Sequence, residues 1–323
     1  MKAGSFTTLL VLLIVMLGVL TWYGGDLLSP DPDRESGSRE DTDPSLRKRV
    51  YRQNEPHDST VSNQRPALDE LDSFSTLREE LILQSLSESK VLKDLTLGFS
   101  SVRQMERFRD EADRNGIRIL GEITGLATLR VRITDLARAS EFMDEWKDEV
   151  SAHYNYRISQ PELPREEVVE GEKEFGGQAP DWLGAPADRE NWGRGIKVAV
   201  IDSGIDPSHP ALKGAEVAEF SLVKGSPTSS GHGTAVASII VGNSENQKGI
   251  APAASILSVR VLNKDGEGDS FTVARGIVEA VDRGADVINM SLGGESSSSV
   301  LEQAVRYAQS NGVTVVAAVG NEG

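Results

Sequence analysis

Four polar residues of the chain stand where an open parallel sheet would do chemistry. Asp202 closes the apolar run Val198-Ala-Val-Ile201, Ser291 closes Asp286-Val-Ile-Asn-Met290, and Asn321 follows Val316-Ala-Ala-Val-Gly320. His232 lies between Gly231 and Gly233, directly before the apolar run that begins Thr234-Ala-Val-Ala. In such sheets ligands bind outside the carboxyl ends of the strands. Carboxylate, imidazole, amide and hydroxyl are the groups of general acid–base chemistry and of hydrogen bonding to a reacting centre. Each alone is equally an ordinary feature: a turn former or helix cap, a turn histidine, a left-handed asparagine. His209, in Pro207-Ser-His-Pro210, reads as structural. A nucleotide-dependent enzyme is disfavoured, because Asp202-Ser-Gly-Ile-Asp206 lacks G-x-G-x-x-G and places an acid where a phosphate would sit.

The elements that must hold these residues follow from hydrophobic period. Residues 197–201, 255–262, 286–291 and 313–319 read as strands. Between them, Ala274, Ile277, Val278 and Val281, then Leu301, Ala304, Val305 and Ala308, repeat at helical spacing. This strand–helix rhythm predicts an α/β fold with a doubly wound, mostly parallel sheet. Residues 91–158 carry a separate pattern. Leu95, Leu97 and Phe99 alternate, Val102, Met105, Phe108 and Ala112 form a helical face, and Asn115-Gly116 caps it. A hairpin follows, broken at Gly125-Leu126, then an Asp135-capped helix with Leu136, Ala139, Met143 and Trp146 on one face, then a strand with Tyr154, Tyr156 and Ile158. The order βαββαβ is a small α+β, ferredoxin-like unit.

Four motifs in order, Val-Ala-Val-Ile-Asp202-Ser-Gly-Ile-Asp206, Gly-His232-Gly-Thr-x-Val-Ala, Asn289-Met-Ser-Leu-Gly-Gly294 and Val-Ala-Ala-Val-Gly-Asn321-Glu-Gly323, closely resemble the subtilisin family of serine endopeptidases over residues 180–323. The resemblance implies that Asp202 orients the imidazole of His232, that His232 is the general base, and that Asn321 donates to the oxyanion. It further implies that Ser291, Leu292 and Gly293 pair with an extended polypeptide substrate, with Gly266 and Gly268 on the opposite edge. Glu267 on that edge raises the question of a preference for basic side chains, against which stands simple solvation. The resemblance implies a nucleophile that is the serine of a Gly-Thr-Ser motif introducing a long helix, and no such triplet occurs in these 323 residues. Gly225-Ser-Pro-Thr-Ser-Ser230 precedes His232 in a Pro-containing loop and is rejected. The expectation is a fragment of an active precursor, neither hydrolytic nor cooperatively folded by itself, its strand at 313–319 lacking part of its cover. The alternative is a catalytically inactive, peptide-binding relative.

The resemblance also implies that the βαββαβ unit is an amino-terminal propeptide, an intramolecular inhibitor. Its open sheet would cover the helices near 270–282 and 299–310, and its last strand would run into the substrate cleft. The domain plan is then 1–25 signal peptide or membrane anchor, 26–72 linker, 73–158 propeptide domain, 159–180 linker and 181–323 the amino-terminal part of the peptidase domain. Residues 9–20 are an apolar run whose length does not separate signal from anchor. The absence of a small-x-small box and the pair Trp22-Tyr23 favour an anchor, with Lys2 inside and the rest of the chain exported. Arg47-Lys48-Arg49 reads as a solvated charge cluster in the linker.

Composition removes other classes. A formal net charge of −16 argues against a nucleic-acid partner. The lack of cysteine removes disulfides, thiolate metal sites and a thiol nucleophile. No cofactor is expected. Calcium near Asn243-Ser-Glu-Asn-Gln247 is considered, but that loop is short and carries no dense carboxylate cluster, so no metal ligand is assigned.

Overall fold

The computed structural model describes residues 91–160, 184–224, 231–244, 248–294 and 297–318, all within one compact unit. The apolar segment at 9–20, the linker 26–72, most of the linker 159–180, the loop 225–230 and Asn321 lie outside the described residues. Among the described residues no helix is long and apolar enough to cross a membrane.

The amino-terminal part runs β1 (Val91–Phe99), α1 (Val102–Ala112), β2 (Ile117–Ile123), β3 (Thr128–Ile133), α2 (Leu136–Glu145) and β4 (Val150–Ser159). Its antiparallel sheet has the order β2-β3-β1-β4. Alternation turns Leu95, Leu97 and Phe99 onto the two helices, where Met105, Phe108 and Ala112 meet Ala139, Phe142, Met143 and Trp146. Phe108 is the centre of this core, with ring centroids 5.2 Å from Phe99, 5.1 Å from Phe142 and 5.3 Å from Trp146. Val102, placed on the buried face by its spacing, is exposed instead, because the first helical turn has not yet reached the sheet. The predicted caps form: Asp135 accepts from the amides of Ala137 and Arg138, and Gly116 closes the first helix segment in a left-handed conformation (φ 72°). In the hairpin the left-handed residue is Ala127, not Gly125.

The carboxy-terminal part is a second sheet built of β5 (Lys197–Asp202), β6 (Glu216–Ser221), β7 (Ser255–Arg260), β9 (Val287–Met290) and β10 (Thr314–Ala317), parallel throughout, in the order β10-β9-β5-β7-β6. Between β7 and β9 the chain adds the short strand β8 (Glu267–Asp269) and α4 (Ser270–Asp282); α3 (His232–Val241) precedes β7 and α5 (Ser299–Ser310) precedes β10. The two-residue period of the strands assigns their side chains to opposite layers. Val198, Val200, Ile256 and Val287 pack with α3, whereas Ala199, Ile201, Leu257, Val259 and Ile288 pack with α4 and α5. Helices therefore cover both faces, as a doubly wound sheet requires. In the strand expected to lack part of its cover, Val313 packs with α5 and Val316 joins the α3 layer, both buried, whereas Thr314 and Val315 are half-buried and Ala317 is exposed.

Candidate active site

Asp202 is the last residue of β5, the central strand, and its side chain is completely buried. Its main-chain carbonyl accepts from the amides of Val261 and Leu262, which fixes the strand end. The carboxylate takes three donors. Oδ1 accepts from the amide and hydroxyl of Ser203 at 2.7 and 2.9 Å, and the Nδ1 of His232 lies 3.0 Å from Oδ1 and 2.8 Å from Oδ2. A carboxylate held this way fixes the orientation of the ring and leaves Nε2 as the nitrogen able to exchange a proton.

His232 reaches that position because the helix α3 starts on it. Gly231 turns the chain through a left-handed conformation (φ 81°). Gly233 lets the first helical turn press onto the loop after β5: a Cβ there would lie 2.3 Å from the carbonyl oxygen of Gly204. Thr234 ties the same loop down, its hydroxyl accepting from the amide of Asp206 at 2.9 Å. Ser208 donates from its hydroxyl and amide to the Asp206 carboxylate, holding that exposed group below its ordinary value. The glycines beside His232 are expected from the sequence to allow close backbone approach, and Gly233 does so; Ser203 and Thr234 carry no sequence signal beyond their adjacency to Asp202 and His232.

The second group of residues forms a slot. Gly293 exchanges two hydrogen bonds with Ser159, of 2.9 and 3.0 Å, and the Gly266 carbonyl accepts from the amide of Gln160 at 2.9 Å. On that edge Gly268 and Glu267 stand in register with Ile158 and Ser159. The end of β4 thus lies as an extended strand, antiparallel to both edges. Gly294, which was not singled out, leaves room for Ile158: a Cβ there would meet the Ile158 Cδ1 at 2.7 Å. Ser291 is buried and its hydroxyl accepts from the Asn289 amide at 3.1 Å, while Leu292 belongs to the α4/α5 core. Because β4 is antiparallel to the segments that leave β7 and β9, it advances toward their carboxyl ends. Those strands flank β5, whose last residue is Asp202.

The rest of the amino-terminal sheet packs on α4 and α5. Asn155, fully buried, accepts from the Ser270 hydroxyl and the Phe271 amide at the start of α4 and donates to Asp269. Asp269 caps α4 through the amide of Thr272 and also holds Arg130 at 3.0 Å. His153 meets the hydroxyl of Ser299 at the start of α5, 3.0 Å away. The strand continues through Ser159, and Gln160 is also hydrogen-bonded, so the unit extends past the boundary drawn at 158.

His209 caps the turn at Pro210–Leu212 by accepting from the Ala211 amide, a structural role. Among the described residues no three acidic or histidine groups converge as metal ligands. Of the loop considered for calcium, residues 245–247 lie outside the described residues; just after it, the carbonyls of Lys248 and Gly249 accept from the guanidinium of Arg189, which also binds the carbonyl of Pro186.

Residues 193–323 match the Peptidase S8 model, described as the subtilase family. Thermitase of Thermoactinomyces vulgaris is 45% identical over 137 residues, 41% of this chain and 49% of thermitase. Subtilisin E of Bacillus subtilis (strain 168) is 46% identical over 135 residues, 41% of this chain and 35% of that protein. The chain thus spans about half, or less, of the curated relatives it matches. Its fold resembles the crystal structure of fervidolysin from Fervidobacterium pennivorans, described as a keratinolytic enzyme related to subtilisin, with a TM-score of 0.57 at 20% identity. That likeness covers 73% of this chain and 41% of fervidolysin, so it includes residues ahead of 193. Residues 193–323 are a subtilase-family domain.

Proposed function

We propose that the chain belongs to the precursor of an exported serine endopeptidase acting on extended polypeptide. The observation that carries this reading is the 2.8 Å pair of His232 with buried Asp202 at the end of a slot that already holds an extended strand. In this reading Nε2 of His232 takes the proton of a serine hydroxyl as its oxygen attacks the scissile carbonyl carbon. His232⁺, stabilised by Asp202, then gives that proton to the leaving amine, and water repeats the sequence to release the acid. Asn321 supplies an amide donor to the oxyanion. The serine belongs to peptidase sequence outside these 323 residues. Ser291–Gly293 and Gly266–Gly268 bind the substrate backbone by adding it as a strand between them.

The amino-terminal part, residues 73–158 extended to Gln160, acts as the inhibitory propeptide, and residues 1–25 carry the export signal or anchor. Two features support the inhibitor role: its last strand fills the slot, and its polar side chains bind the starts of α4 and α5. A non-catalytic relative would use the same slot to bind peptide without cleaving it. Hydrolysis of an extended peptide by the full-length protein, lost in His232→Ala, is the expected result. Peptide binding without hydrolysis would favour the non-catalytic reading.

A further inference from the structure

We propose that Glu267 selects a basic side chain in the substrate, two residues ahead of the residue that exchanges hydrogen bonds with Gly293; this rests on the slot being the substrate cleft. The occupying strand supplies the register. Ser159 pairs with Gly293, and two residues before it stands Arg157. In β8 the side chains of Glu267 and Asp269 share one face, and Gly268 turns to the other, where a Cβ would lie 2.8 Å from Leu262. Arg157 is opposite Asp269 along the backbone, but its guanidinium reaches diagonally to Glu267, at 3.9 Å. A two-residue diagonal across antiparallel strands is within reach of a long side chain.

While the amino-terminal part is docked, the neighbouring charges leave the guanidinium of Arg157 to Glu267. Asp269 is engaged by Thr272, Asn155 and Arg130, and Asp265 is paired with Lys264 at 2.6 Å. When the amino-terminal part departs, Arg130 leaves Asp269 with it, and the edge becomes more negative. A substrate bearing Arg or Lys at the Arg157 position would then restore one of the lost cations. Both partners of the observed pair are more than half exposed, so the preference is modest and sensitive to salt.

A charge-swap cycle on the full-length protein tests this in two ways. First, native-state hydrogen exchange is followed at the amides of Ser159 and Gln160. Arg157→Glu is expected to speed exchange about two- to fivefold at low salt, the scale of an exposed ion pair. Glu267→Arg in the same chain should restore the original rate, and added salt should shrink both changes. Secondly, peptides differing only in Arg, Gln or Glu at that position are compared as substrates. Arg is expected to be preferred about two- to fivefold over Gln, and Glu267→Arg should invert the order toward Glu. Absence of all hydrolysis would remove the proposed activity, while the exchange cycle would still decide the role of Glu267. Exchange that the swap fails to restore, or cleavage indifferent to the substitution at 267, would overturn the proposal.

Discussion

The two oxygens of Asp202 serve three donors, and the value of that arrangement lies in geometry. Ser203 holds the carboxylate from one side so that the other side stays aligned with Nδ1 of His232. Asp202→Asn would keep the shape but offer an amide donor to the ring nitrogen and favour the wrong tautomer. About a 10⁴-fold loss of kcat is expected with little change in melting temperature, a magnitude taken from serine proteases with this triad. Gly233→Ala tests the close approach instead. Its added methyl meets the Gly204 carbonyl, so the helix start must shift, and loss of both activity and stability is expected, the latter about 1–3 kcal/mol by chemical denaturation. Arg189 makes a different kind of prediction. Three backbone carbonyls bind its buried guanidinium, and Arg189→Ala should cost about 2–4 kcal/mol in denaturant unfolding. An unchanged midpoint would show that the segment carrying Arg189 is held by something else. Asp202 and His232 were legible because their motifs fix both residue and neighbours. Ser203 and Thr234 were not, since their roles depend on two loops that meet only after folding, whereas the glycine at 233 already signalled a close backbone approach.

At the scale of elements, the buried amide of Asn155 joins β4 to α4 with bonds that no apolar residue can replace. Asn155→Leu would strand the Phe271 amide and remove a donor from Asp269. With one buried group left unsatisfied at about 1–3 kcal/mol, the docked strand should open roughly 5- to 150-fold more often, seen as faster exchange of the Ser159 and Gln160 amides. The core of the amino-terminal unit should remain folded, because Asn155 lies outside the Phe108 cluster. The elements that sequence period revealed are those with one strongly buried face, such as β1 with Leu95 and Leu97 or α5 with Ala304 and Ala308. Two strands escaped it for physical reasons. β6 is an edge strand with no fully buried side chain, so its alternation is faint, and β8 has three residues, one of them glycine. Yet β8 supplies one wall of the slot, and its pairing partner is far away in sequence.

Across the whole molecule, β4 links the amino-terminal unit to the carboxy-terminal one: it starts in the amino-terminal sheet and ends with Ile158 in the core shared with α4 and α5. A nick anywhere in 161–183 should therefore leave both parts associated, co-eluting in size-exclusion chromatography until denaturant is added. Separation of the nicked parts in native buffer would contradict the docking seen here. The central claim is that Asp202 and His232 form the proton-transfer half of a serine endopeptidase site. It is tested most directly by labelling the full-length protein with a fluorophosphonate, which reacts with an activated serine. The expected result is a single labelled serine in the wild type, and labelling slowed at least about 10³-fold in His232→Ala. Labelling of equal rate in the two proteins, or none in either, would contradict the claim.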